Sequence, residues 1–206
     1  LAGAAHDAAA QEKHLRALRA AGADGYSIEM ELAQTADARH DAAGVRAALE
    51  AAHRFDASQP DPLRGLYDLA KKDGRDADAL AALREIARLD QHDRRAYELL
   101  LDALIAGKRW DEARRVGESA IYVDVESASM HVNYARALSA TGDHATASFE
   151  LESALLCDAK PADRATALGL LAGERAALGD AAGARERRDE ALKLDPSNAE
   201  ARALKL

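Results

Sequence analysis

An all-α architecture of stacked antiparallel helix pairs is the fold class this sequence predicts, and three observations predict it. The first is a repeat: the small residues Val45, Ala79, Ala113, Ala147 and Ala184 recur at spacings of 34, 34, 34 and 37. Other positions keep the same register, which sets the fold before anything else is asked of the chain. Seven residues after the anchors stand Ala52, Ile86, Ala120, Ala154 and Ala191; three further on come Phe55, Leu89, Val123, Cys157 and Leu194, each followed by Asp. Thirteen before them stand Leu32, Leu66, Leu100, Tyr134 and Leu171. The second observation is the helical period, apolar residues falling at intervals of three and four until Gly or Asp interrupts them. The third is composition: 48% of the 206 residues are hydrophobic but only 4% aromatic, and alanine dominates. Alanine favours helix and fills little volume, which suits closely approaching helices.

The elements follow in order. Residues 6–22 align with 40–56, the second helix of the first full unit, so residues 1–22 read as the second helix of a preceding partial repeat. A chain that opens on Leu in mid-repeat is expected to be a piece of a longer protein. Five helix pairs are then expected at about 26–59, 60–93, 94–127, 128–161 and 165–198. In the third, a helix at 93–106 carries Tyr97, Leu100, Leu101 and Leu104 on one stripe, and Gly107 suits the positive φ that ends a helix. Its partner sets Trp110, Ala113, Val116, Ala120 and Val123 inward. The anchor is small because two helix axes approach there, so a large residue at Ala113 or Ala147 overpacks the contact. Residues 197–206, opening on a capping residue, read as a short final helix that gives the array its terminal cap.

The chemistry of the chain is sparse. Net charge is −8 with basic and acidic residues interleaved, so no basic footprint for nucleic acid exists. No apolar run reaches the roughly 18 residues of a membrane span. A single cysteine excludes an internal disulfide or a cysteine-rich zinc site and leaves the compartment open, with the cytoplasm favoured. His-Asp at 6–7, 40–41 and 92–93, and Asp-His at 143–144, resemble metal-ligand pairs. They fall at successive turns rather than converging, so Asp7, Asp41 and Asp143 are read as helix caps beside exposed histidines. Cys157 takes the place of Leu89, Val123 and Leu194 and is expected to be a buried, inert thiol. His131, on an apolar stripe, is read as packed rather than ligating. No catalytic constellation, metal site or cofactor site is found, and the chain is expected not to be an enzyme.

The 34-residue period, the Gly-Asp turn, the small anchor and the closing "EALKLDPSN" resemble the tetratricopeptide repeat family over about residues 26–198. The last unit is nearest the pattern, with Leu168, Leu171, Ala172, Gly179, Ala184, Ala191 and Pro196 at signature places. Departures are Tyr67 where a small residue is usual, Glu29 and His131 where a large apolar one is, and Arg175 in place of a bulky apolar residue. The resemblance implies a right-handed superhelical solenoid whose first helices line a concave groove for a peptide or a partner's helix. The groove would present Arg64, Asp68, Lys71, Arg95, Glu98, Asp102, Val132, Asn133 and Arg136 at its centre, with Met30, Gln34, Ile105 and Ser139 beside them. Thr166, Gly169 and Gly173 would leave a bare floor at the C-terminal end. A carboxylate clamp of the kind one subclass uses on chaperone tails is excluded: Asn133 is present, but Glu98, Asp102, Thr166 and Leu170 stand where Asn, Lys and Arg are required. The function expected is a non-catalytic scaffold or adaptor. The alternatives are an accessory domain of a larger enzyme (a peptidase, kinase or glycosyltransferase) and a module that self-associates.

Overall fold

The computed structural model describes residues 2–205, with side chains from Ala8 onward. Among these residues twelve helices follow one another without a strand. They form two compact units, residues 1–91 and 92–206. No helix is long and apolar enough, among the described residues, to cross a membrane.

The first unit contains α1 (Ala2–Ala20), α2 (Gly25–Ala38), α3 (Ala42–Phe55), α4 (Asp61–Lys72) and α5 (Asp76–Leu89), each packed on the next. Leu15 of α1 joins Ile28, Leu32, Ala33, Ala48 and Leu49 in one buried cluster. The backbone corrects one expectation here. Helix α1 already runs from Ala2 through position 7, so it is not started by Asp7, whose side chain lies outside the described residues.

The second unit contains α6 (Arg94–Ala106), α7 (Trp110–Val123), α8 (Ala128–Ala140), α9 (His144–Leu156), α10 (Pro161–Ala177), α11 (Ala181–Leu194) and α12 (Ala199–Ala203). Besides packing on its neighbour in sequence, α6 touches α8, α8 touches α10, and α10 touches α12, which sets these helices side by side on one face. The core lies behind them, with Leu138, Leu151 and Leu171 almost wholly buried among Ala135, Ala147, Ala154 and Ala167.

Local chemistry sets the helix starts. Asp41, Asp93, Asp143 and Asp180 each accept a backbone N–H three residues on, from Gly44, Ala96, Thr146 and Gly183, at 2.9–3.2 Å. That satisfies one orphan donor of the first turn. Arg75 and Arg109 hold the same place before α5 and α7 without a side-chain cap. The turn inside each pair needs one residue at positive φ, five before the anchor: His40, Gly74, Lys108, Gly142 and Gly179. Gly107 was expected in that role, but its φ is −82° and Lys108 takes the left-handed conformation at 53°.

The anchors Ala79, Ala113, Ala147 and Ala184 are buried, as a close helix contact requires, while Val45 is half-buried. A second close approach falls at Gly117, where an added Cβ would lie 2.4 Å from the ring of Tyr134 on α8. Trp110, Val116 and Val123 are only half-buried, so the inward stripe of α7 narrows to Ala113, Gly117 and Ala120.

Candidate functional site

The side-by-side faces of α6, α8 and α10, with the α7–α8 and α9–α10 loops, enclose a groove of about 540 Å³ in the second unit. Val132 supplies its apolar wall and packs behind onto the core. Polar side chains on facing helices are tied in pairs: Ser129 donates to Glu98 at 2.9 Å, and Asn133 donates to Asp102 at 2.6 Å. Enclosure pushes the Asp102 carboxyl above the usual carboxylate range; the Asn133 hydrogen bond works against this and the charge of Glu98 adds to it. Arg136 reaches Glu200 of α12 at 3.1 Å, while its Nε is buried without a partner among the described residues. Arg94 is ion-paired with Asp124 at 2.5 Å, and Arg164 donates to the Leu155 carbonyl at 2.7 Å. Glu126, Asp158, Lys160 and Asp163 line the rim and are exposed.

Five of the nine residues expected at the centre of the groove come together here: Glu98, Asp102, Val132, Asn133 and Arg136. Arg95 does not line it; Arg94, one residue earlier, does. Arg64, Asp68 and Lys71 lie on α4 of the first unit, so this groove is built without them. Arg64 is engaged by Asp61 at 2.5 Å and Asp90 at 3.1 Å, and Asp68 is exposed. Lys71 meets Asp76 at 2.8 Å, and that hydrogen bond and charge hold its ammonium above the ordinary lysine range.

Of the bare C-terminal floor, Thr166 lines the groove and Gly173 faces open space, but Gly169 is corrected. Gly169 is buried beneath α12, with the Asn198 Oδ1 2.5 Å from where a Cβ would stand and the backbone N of Ala201 at 3.1 Å. The rim from Asp158 to Arg164 was missed because the groove was expected from the faces of the first helices alone, whereas the α9–α10 loop and the first turn of α10 supply this edge. The charge run itself was the available signal.

Helix pairs in this order have solved counterparts. YrrB, described as a TPR protein with an unusual peptide-binding site, is similar with a TM-score of 0.72 at 14% identity, over 91% of this chain and 95% of that one. MamA is similar with a TM-score of 0.65 at 20% identity, over 89% and 98%. The fold is that of a tetratricopeptide repeat protein. TTC0263, a thermophilic TPR protein of Thermus thermophilus, is a third such structure, at 0.52 and 19% identity over 86% and 95%. At the level of sequence alone, no protein-family model and no curated protein matches.

Three of the four departures from the tetratricopeptide pattern find a partner. Buried Glu29 is met by Arg19 of α1. Arg175 bridges Glu152 and Asp180. His131 is almost wholly buried, its Nδ1 2.6 Å from Glu150 Oε2 and its Nε2 3.0 Å from the Val125 carbonyl. Both neighbours accept, so the geometry suits an imidazolium donating twice. Burial, the largest influence, pulls the His131 pKa down. The Glu150 and Val125 hydrogen bonds, with the charges of Glu150 and Asp124, outweigh it, and the net shift is upward. A second histidine, His144, meets Glu174 of α10 at 2.7 Å.

Cys157 is half-buried rather than buried. Desolvation first, then the nearby Asp124 and Glu126, raise its thiol above the ordinary range, away from the reactive thiolate. Among the described residues no three His, Cys, Asp or Glu side chains gather as metal ligands.

Proposed function

We propose that this chain is a non-catalytic protein-interaction module whose working surface is the groove between α6, α8 and α10, and that it takes an extended segment of a partner carrying basic side chains. The carrying observation is the charge inventory of that groove. Arg94 and Arg136 are paired with Asp124 and Glu200. Among the other lining charges Lys160 and Arg164 stand beside Glu126, Asp158 and Asp163 on the exposed rim, with Glu98 and Asp102 inside, so acids outnumber bases. A lining with an excess of acids around the apolar wall of Val132 favours lysine or arginine on the incoming chain over a terminal carboxylate. The Asn133–Asp102 pair offers an amide and a carboxylate for a peptide backbone to hydrogen-bond. The similarity to YrrB, whose peptide-binding site is named in its description, supports the same kind of use.

Affinity capture from source-cell lysate compares the wild type with Asp102→Ala/Asn133→Ala, which removes the paired polar groups and leaves the core untouched. The expected result is a partner held by the wild type and weakened about tenfold or more in the variant, the size of a binding hot spot. A partner held equally by both places the working surface elsewhere.

A further inference from the structure

A second concave feature lies where the end of α7, the α7–α8 loop and α9 meet, a cleft of about 670 Å³ within the second unit. Its walls are Ile121, Val125, Phe149 and Leu156, and its floor is the His131–Glu150 pair. Phe149, Ser153 and Leu156, spaced by four and three, form one stripe along α9, and all three line the cleft. Phe149 is 63% exposed, Val125 66% and Leu156 89%. Single exposed apolar residues are ordinary, but a group converging on one cleft marks a contact surface.

The repeat supplies an internal control. At the register of Phe149 the other second helices carry Ala47, Ala81, Arg115 and Glu186. At the register of Leu156 they carry Arg54, Arg88, Tyr122 and Lys193. The fold therefore accepts small or charged residues at the register of Phe149 and exposed charged residues or a tyrosine at that of Leu156, so packing does not demand Phe and Leu on α9.

The surroundings of the cleft select its occupant. Arg94 is spent on Asp124, which leaves the exposed carboxylates of Glu126 and Asp158 at the edge. Two copies meeting through this cleft would bring those carboxylates together, and an anionic lipid surface would be repelled by them. We propose that the cleft is a second docking surface and takes an amphipathic segment of another protein, its large apolar side chains flanked by lysine or arginine. It shares the Glu126 and Asp158 edge with the groove, but its apolar walls are its own, so the inference stands without the groove reading.

The test follows the backbone amide spectrum of the intact chain during titration with a synthetic amphipathic leucine–lysine helix. A lysine–serine peptide of equal charge is the control. The cleft variant is Phe149→Glu/Leu156→Lys, residues that Glu186 and Lys193 already supply at these registers. The expected result is saturable shifts at Val125, Phe149 and Leu156 with the leucine–lysine peptide alone. Affinity should fall about tenfold in the cleft variant and change less than about twofold in Asp102→Ala/Asn133→Ala. Shifts confined to α6 and α10, equal affinity in the cleft variant, or equal response to the lysine–serine peptide would overturn it. So would a peptide-free dimer, or binding to phosphatidylglycerol vesicles, that the cleft substitutions abolish, because the occupant would then be a second copy or a lipid.

Discussion

At the scale of single residues, one turn position shows how a repeat tolerates strain. Gly74, Gly142 and Gly179 adopt positive φ freely, while His40 and Lys108 do so with a Cβ in the way. Lys108→Gly should stabilise the chain by up to about 1 kcal/mol despite the added freedom of the unfolded chain. Urea denaturation showing a lower midpoint would contradict this. His131 gives a second residue-scale prediction. Its pKa is raised on folding, so its contribution is fully present below the unfolded value, about 6.5, and is lost as pH climbs through the higher folded value. The groups facing it are Glu150 on α9 and Asp124 in the α7–α8 loop, the latter paired with Arg94. Wild-type stability to urea should therefore decline from about pH 6 upward. In the second full unit Leu63 stands at the register of His131 and Ala82 at that of Glu150, so His131→Leu/Glu150→Ala should fold and lose that part of the pH dependence. Glu150→Ala alone strands a buried imidazole and should cost about 3 kcal/mol at pH 6. An unchanged pH profile in the double variant would refute the assignment. The sequence showed His131 breaking an apolar stripe; it did not show Glu150, nineteen residues away, turning to meet it.

At the scale of helices, the contacts follow from where side chains are missing. Gly117 lets α7 reach Tyr134 of α8, and an added methyl would meet the Cγ and Cβ of Tyr134 as well as its ring edge. Those atoms sit close to the backbone and cannot swing away, so the clash should outweigh the gain in helix propensity. Gly117→Ala should destabilise by about 1 kcal/mol net. Gly173 of α10 has open space where a Cβ would stand, and Gly173→Ala should stabilise by a comparable amount. Melting temperatures moving in the same direction for both variants would contradict the contact at Gly117. Helix order and the buried anchors were legible because one small residue per turn of the pattern repeats in register. The placement of α12 over Gly169 was not, because a glycine reads alike whether it opens a floor or admits a neighbour. Arg94 was missed for Arg95 because adjacent arginines on a helix differ by about 100° in facing, which composition does not report.

For the molecule as a whole, a helix pair buries its apolar side against another pair, so the repeat must recur for the chain to fold. That requirement fixes the inward positions and frees the others, and the freed positions are where function is written. The fold was therefore readable from periodicity, while the rim from Asp158 to Arg164 and the apolar stripe of α9 appeared only once loops and neighbouring helices were brought together. The central claim is that the α6–α8–α10 groove holds the partner. It is tested most directly by a photo-crosslinking amino acid placed at Ser129, which is exposed in the groove, and at Glu186, which is exposed on α11, in cells that make the protein. A discrete crosslinked partner from Ser129, absent from Glu186 and lost when Asp102→Ala/Asn133→Ala is introduced, is the predicted result. The same partner captured from Glu186, or retained at Ser129 in the groove variant, would contradict it.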